Sequence, residues 1–126
     1  MMDLKWTEDG LIPVVVQDHK TNEVLMVAYM NKESFQQTLE TRKASFYSRS
    51  RKKFWIKGES SGHVQHVKEI LTDCDKDTLV IKVEQIGGAC HLGYRTCFVH
   101  QLDEKGDFKK VTQEKVFDPD AIYKEK

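Results

Sequence analysis

The 126-residue chain predicts a compact, strand-rich domain with one well-marked helix and a short C-terminal helix. Three observations lead there. Apolar runs rich in β-branched residues recur with turn chemistry between them. Only the segment after Asn31 combines helical spacing with a clear start signal. No repeat, low-complexity linker or compositional break divides the chain, so residues 1–126 read as one domain, large enough to bury its own core.

Leu11–Gln17 (LIPVVVQ) and Glu23–Met30 (EVLMVAYM) flank the turn-forming Asp18-His19-Lys20-Thr21-Asn22 and predict a hairpin. Pro13 lacks a ladder donor and belongs at a strand start or on an edge. Asn31 reads as an N-cap, Glu33 suits the first turn, and Phe35 and Leu39 lie four apart, predicting a helix over about 32–42. Ala44–Ser50 and Phe54–Lys57 are expected strands around Arg51-Lys52-Lys53, and 58–62 a loop. Val64–Thr72 fits a helical face through Val64, Val67 and Leu71, yet also alternates. A strand is preferred, because it would pair with the strand-like Thr78–Gln85 through a turn at Asp75–Asp77. Cys97–Leu102 is a further expected strand, Lys105-Gly106-Asp107 a turn, and Asp118-Pro119 the opening of the C-terminal helix.

At 39% hydrophobic and 32% charged, the composition is too apolar for disorder. Lys+Arg and Asp+Glu both number 20, so a net charge of zero argues against a general nucleic-acid binder. Met1–Trp6 has no signal-peptide apolar core, and runs such as Leu11–Val16 are too short to span a bilayer. A cytoplasmic protein without a membrane partner is expected. In that reducing compartment clustered cysteines act as metal ligands or reactive thiols more often than as disulfides.

The chemistry concentrates between Asp73 and Cys97, which hold all three cysteines, Cys74, Cys90 and Cys97, with Asp73, Asp75 and Asp77 around the first. Thiolates suit zinc and clustered carboxylates suit magnesium, calcium or manganese, so the stretch reads as a mixed metal site. Three thiolates rather than four leave a zinc position open, as catalysis requires. The alternative is three buried small hydrophobes. Zinc with three thiolates carries net charge −1 and acidifies its water less than zinc on neutral imidazoles, so a nearby base or cation is needed. His91 is the candidate base; a fourth zinc ligand or a plain hydrogen-bonded histidine are its other roles. The aspartates would share one face of a strand, or converge on a hard cation in a turn. Glu84 stands at position twelve from Asp73, as in an EF-hand, but Thr78 replaces the required glycine and a strand follows, so that reading is rejected.

Between Tyr47 and His63, Arg and Lys alternate with hydroxyls and aromatics, the chemistry of phosphate recognition and base stacking. A solvated basic strand pair with Trp55 anchored in the core is the ordinary alternative.

Together, Tyr47–Arg51 (YSRSR), Trp55–His63 (WIKGESSGH), Asp73–Asp77 (DCDKD) and Cys90–Phe98 (CHLGYRTCF) resemble phosphoribosyl-AMP cyclohydrolase, with similarity from about Leu11 to Leu102. Ser60, Gly88 and Leu92 depart from the residues usual at their positions, and none is an expected ligand. The resemblance implies an α+β fold forming an intertwined homodimer. It implies one zinc per subunit on Cys74, Cys90 and Cys97, magnesium on Asp73, Asp75 and Asp77, and metal sites at the subunit interface. Some relatives carry a fused phosphoribosyl-ATP pyrophosphohydrolase domain; the length of this chain leads to the expectation of the cyclohydrolase alone.

The implied reaction opens the adenine ring of 1-(5-phosphoribosyl)-AMP at the N1–C6 bond, giving the formimino-aminoimidazole carboxamide ribotide of L-histidine biosynthesis. Zinc-activated water would attack C6, as zinc deaminases do at the same carbon. His91 would transfer protons. Arg49, Arg51, Lys57 and Ser60, Ser61 and Gly62 are candidates for the phosphate ends, and Trp55 for the purine. The rival class is a non-catalytic, zinc-stabilised nucleotide- or RNA-binding module. A deaminase is disfavoured because its H-x-E…C-x-x-C signature is absent.

Overall fold

A computed structural model describes residues 3–90, 92–111 and 115–116. Among them the chain runs β1 (Ile12–Asp18), β2 (Val24–Met30), α1 (Lys32–Thr41), β3 (Ser45–Ser48), β4 (Lys53–Ile56), β5 (Gln65–Thr72), β6 (Leu79–Gln85), β7 (His100–Leu102) and β8 (Phe108–Lys110). This is the α+β, strand-rich architecture expected.

Strict alternation builds the centre. Ile12, Val14 and Val16 of β1 are fully buried, with half-buried residues between them. β6 repeats the pattern through Leu79, Ile81 and Val83. The sheet order is β2-β1-β6-β5, with β1 and β6 parallel and the outer pairs antiparallel. Pro13 sits at the start of β1, where pairing with β6 has not yet begun: that register opens at Val14↔Leu79. Leu25, Met30 and Phe46 complete a core in which each fully buried aliphatic side chain contributes roughly 2 kcal/mol.

The helix begins as its sequence dictates. Asn31 Oδ1 accepts from the Ser34 N–H at 2.8 Å, and Ser34 Oγ accepts from the Asn31 N–H at 2.9 Å, a reciprocal capping box. The helix ends at Arg42, in the left-handed region at φ 62°. It docks on β3 through a polar contact, the Ser45 N–H donating to Thr38 Oγ1 at 3.0 Å. Trp6 meets Phe35 edge-on, with centroids 6.1 Å apart.

The ambiguous Val64–Thr72 stretch is a strand with a bulge between Val67 and Glu69. Gln65 and Val67 face inward before it, and Ile70 packs on the core after it, so the parity of alternation changes mid-strand. The expected strand at Cys97–Leu102 is shorter and begins at His100, because the Cys97 N–H is diverted to the Leu25 carbonyl. β8 was not anticipated from the sequence. The C-terminal helix expected from Asp118 lies outside the described residues. Among the described residues no helix is long and apolar enough to cross a membrane.

Candidate active site

The β5–β6 turn gathers the carboxylates. Thr72 pairs with Leu79, the Asp73 N–H donates to the Thr78 carbonyl at 3.3 Å, and Lys76 adopts φ 61°. This closes the segment, so Asp73, Asp75 and Asp77 converge rather than line a strand face. Their donor oxygens all lie within 4.8 Å of one another, on exposed side chains. Three carboxylates in that reach can hold a hard divalent cation. Desolvation acts to raise the Asp73 pKa, but hydrogen bonds from Asp77, Thr78 and Lys76 together outweigh it and hold the carboxyl below the usual range.

Cys74 is exposed in this turn, its Sγ 3.8 Å from Asp75 Oδ1. The other two cysteines follow the opposite end of β6. Across seven residues that strand spans roughly 20 Å. Among the described residues the aspartates form the only metal-ligating group of three. One chain therefore does not bring its three thiols together.

Cys90 is buried and Cys97 lies beside it. Although Cys97 as a residue is exposed, its thiol is hydrogen-bonded with Cys90. Desolvation, then the Cys90 sulfur, push the Cys97 thiol up to about 11, against the opposing charge of Lys57. Two neighbouring cysteine sulfurs are a sound half-set for zinc, which displaces thiol protons on binding. The loop between them is tightly built: the Cys90 N–H donates to the Tyr94 carbonyl at 3.0 Å, and the Cys97 N–H to the Leu25 carbonyl at 2.8 Å.

Lys57 is turned inward instead of outward. It is 8% exposed, and its Nζ donates to the Ala89 carbonyl at 2.9 Å. Burial lowers its pKa, and the sulfurs of Cys97 and Cys90 act to restore it. Gly58 next to it needs φ +84°, and a Cβ there would overlap the backbone of His63 and Val64.

His63 joins the same neighbourhood and was not singled out from the sequence, where it is only the last letter of a basic block. Desolvation lowers its pKa, a hydrogen bond with the Gly88 backbone opposes this, and the Lys57 charge lowers it further. Its ring lies against Gly87, where a Cβ would come within 2.7 Å.

Arg49 and Arg51 are exposed around the β3–β4 turn, Arg49 stacking over Tyr29 at 4.1 Å. Trp55 tilts against Phe46 with centroids 5.0 Å apart and packs on the core. In the following loop Ser60 and Gly62 are exposed, and Ser61 Oγ accepts from the His63 N–H at 3.2 Å. His91, the expected proton-transfer residue, lies outside the described residues.

Residues 26–99 match the family model described as Phosphoribosyl-AMP cyclohydrolase. The phosphoribosyl-AMP cyclohydrolase of Methanothermobacter thermautotrophicus is 60% identical over 117 residues, covering 91% of this chain and 83% of that protein. That of Methanoregula boonei is 56% identical, covering 98% and 96%. That of Desulforapulum autotrophicum is 52% identical, covering 98% and 100%. Similarity of this depth along nearly the whole length means that the chain belongs to the phosphoribosyl-AMP cyclohydrolase family, enzymes of histidine biosynthesis.

Proposed function

We propose that the chain hydrolyses the N1–C6 bond of phosphoribosyl-AMP in a homodimer. Each zinc is held by Cys90 and Cys97 of one subunit with Cys74 of the other, and Asp73, Asp75 and Asp77 hold magnesium. The observation that carries this reading is the separation of the soft donors: a thiol pair at one end of β6 and a lone exposed thiol at the other. A second copy related by a two-fold axis supplies each incomplete set with what it lacks.

Zinc on thiolates supplies a water activated for attack. In the hydrolysis a water oxygen adds to C6, the N1–C6 bond breaks, and N1 takes up a proton. C6 becomes the carboxamide carbon, and N1 remains on the formimino arm with its phosphoribose. His91 takes the proton from the attacking water and returns it at N1. Exposed Arg49 and Arg51 meet a phosphate, with the Ser60–Gly62 loop as a second anion contact. Asp73, Asp75 and Asp77 would hold magnesium, which would supply positive charge to the site. The non-catalytic binding module loses its basis with the family membership.

Ring opening of phosphoribosyl-AMP changes ultraviolet absorbance and can be followed directly. Turnover is expected to stop on zinc chelation and return with added zinc. Full turnover by zinc-stripped protein would overturn the proposal.

A further inference from the structure

We propose that Lys57 is the buried counter-ion and clamp of the Cys90–Cys97 pair, a positioning residue for zinc and not a contact for substrate phosphate. The inference rests on the reading that these cysteines hold zinc.

A lysine is almost never buried without a charged partner. Lys57 is 8% exposed, and among the described residues no carboxylate forms an ion pair with it. Its one hydrogen-bond acceptor there, the Ala89 carbonyl, is neutral. The groups within electrostatic reach that become anionic on taking zinc are the two sulfurs. Three thiolates on Zn²⁺ leave one unit of negative charge, which is costly in a partly dry site unless a cation faces it. The Lys57 ammonium is fixed there by the fold. The Lys57 N–H is tied to the Ala44 carbonyl at 3.0 Å, and the adjoining Gly58 turn admits no side chain.

The clamp works through the residue before Cys90. Ala89 is gripped from both sides: its carbonyl by Lys57, and its N–H by the Arg95 carbonyl at 3.0 Å. Holding Ala89 sets the direction in which the buried Cys90 leaves the loop. A phosphate contact at the surface requires the ammonium to face solvent, and here the head group is buried and directs an N–H to an interior carbonyl.

The test compares zinc affinity, by competition with a chromophoric chelator, across the native protein, Lys57→Gln, Lys57→Met and Cys97→Ala. Lys57→Gln keeps a donor for the Ala89 carbonyl and removes the charge. Lys57→Met fills the space with an apolar chain and guards against misfolding of the first variant. Both are expected to weaken zinc roughly 10- to 100-fold, the usual cost of losing an outer-shell partner, while KM of the zinc-loaded variants stays near native. Native zinc affinity with a raised KM would identify Lys57 as a phosphate contact and overturn the inference. If Cys97→Ala also binds zinc like the native protein, the cysteine assignment itself fails.

Discussion

Arg95 reaches across the fold to Asp18, its Nη2 donating to Oδ1 at 2.7 Å while its Nε donates to Glu23 Oε1 at 3.0 Å. The pair ties the Cys90–Cys97 loop to the β1–β2 turn. Thr96 adds to the tie, its hydroxyl donating to the Val24 carbonyl at 2.7 Å. The second cysteine is thus presented by a segment fastened to β2 and the β1–β2 turn at Arg95, Thr96 and the Cys97 N–H. Arg95→Met removes the cation from a carboxylate whose side chain is only 8% exposed. A loss of about 1–3 kcal/mol in urea unfolding is expected, together with zinc binding weakened about tenfold. A variant with native zinc affinity would show that the loop holds its shape without this tie.

Asp18 also governs acid stability. Desolvation acts to raise its pKa, but the Thr21 and Lys20 donors and the Arg95 charge outweigh it, and the folded value lies below the ordinary one. In the unfolded chain the group titrates near about 3.9. Between the two values the unfolded state binds more protons, so stability rises with pH across that window. Its contribution is complete above the unfolded value and disappears as pH falls through the folded one. The melting temperature should therefore fall on acidification below about pH 4. Asp18→Asn should be less stable at neutral pH and fall less steeply in acid. Asp73 and Asp103, also depressed, retain part of the slope in that variant. Parallel acid profiles for the two proteins would remove Asp18 from this role.

Local signals were legible where local physics decides. The alternation of β1 and the Asn31 cap are written in neighbouring residues, and both appear in the fold. The parallel pairing of β1 with β6 is not, because it joins strands distant in sequence through side chains that any buried strand would carry. The β5 bulge blurred its own signal by changing the parity of alternation after Val67. Lys57 sits in a basic run that reads as solvated, and only the approach of Ala89, 32 residues away, turns it inward. Arg95 and Asp18 lie 77 residues apart, and nothing in either neighbourhood announces the other. The aspartate triplet allowed two readings, and the closing of the turn by Thr78 selects the convergent one.

Within that triplet the side chains have unequal duties. Asp73 Oδ1 accepts the Asp77 N–H at 3.1 Å and so holds the turn together. Among the described residues the Asp75 carboxylate accepts from the Cys74 thiol, at 3.8 Å, and does not brace the turn backbone. Asp75→Asn should leave the turn and the melting temperature of the metal-free chain unchanged. It should raise the magnesium concentration for half-maximal turnover by about tenfold or more. Asp73→Asn should disturb both. A native magnesium response from Asp75→Asn would take the triplet out of the site.

The separation of Cys74 from Cys90 and Cys97 makes a sharper demand, because a zinc set shared across a two-fold axis can be complemented. Cys74→Ala and Cys97→Ala homodimers each lack a ligand in both of their sites and should be inactive. In a mixed dimer, the Cys74→Ala subunit still offers Cys90 and Cys97, and the Cys97→Ala subunit still offers Cys74. One of its two sites is therefore complete, while the other lacks two thiols. Random reassortment of equal amounts makes about half of the dimers mixed, so roughly a quarter of native zinc and turnover should return. Recovery should require conditions that exchange subunits, and should be missing when the two variants are mixed without exchange. If the three cysteines instead served one chain, no mixture would recover activity, and zinc content would stay at the level of the separate variants.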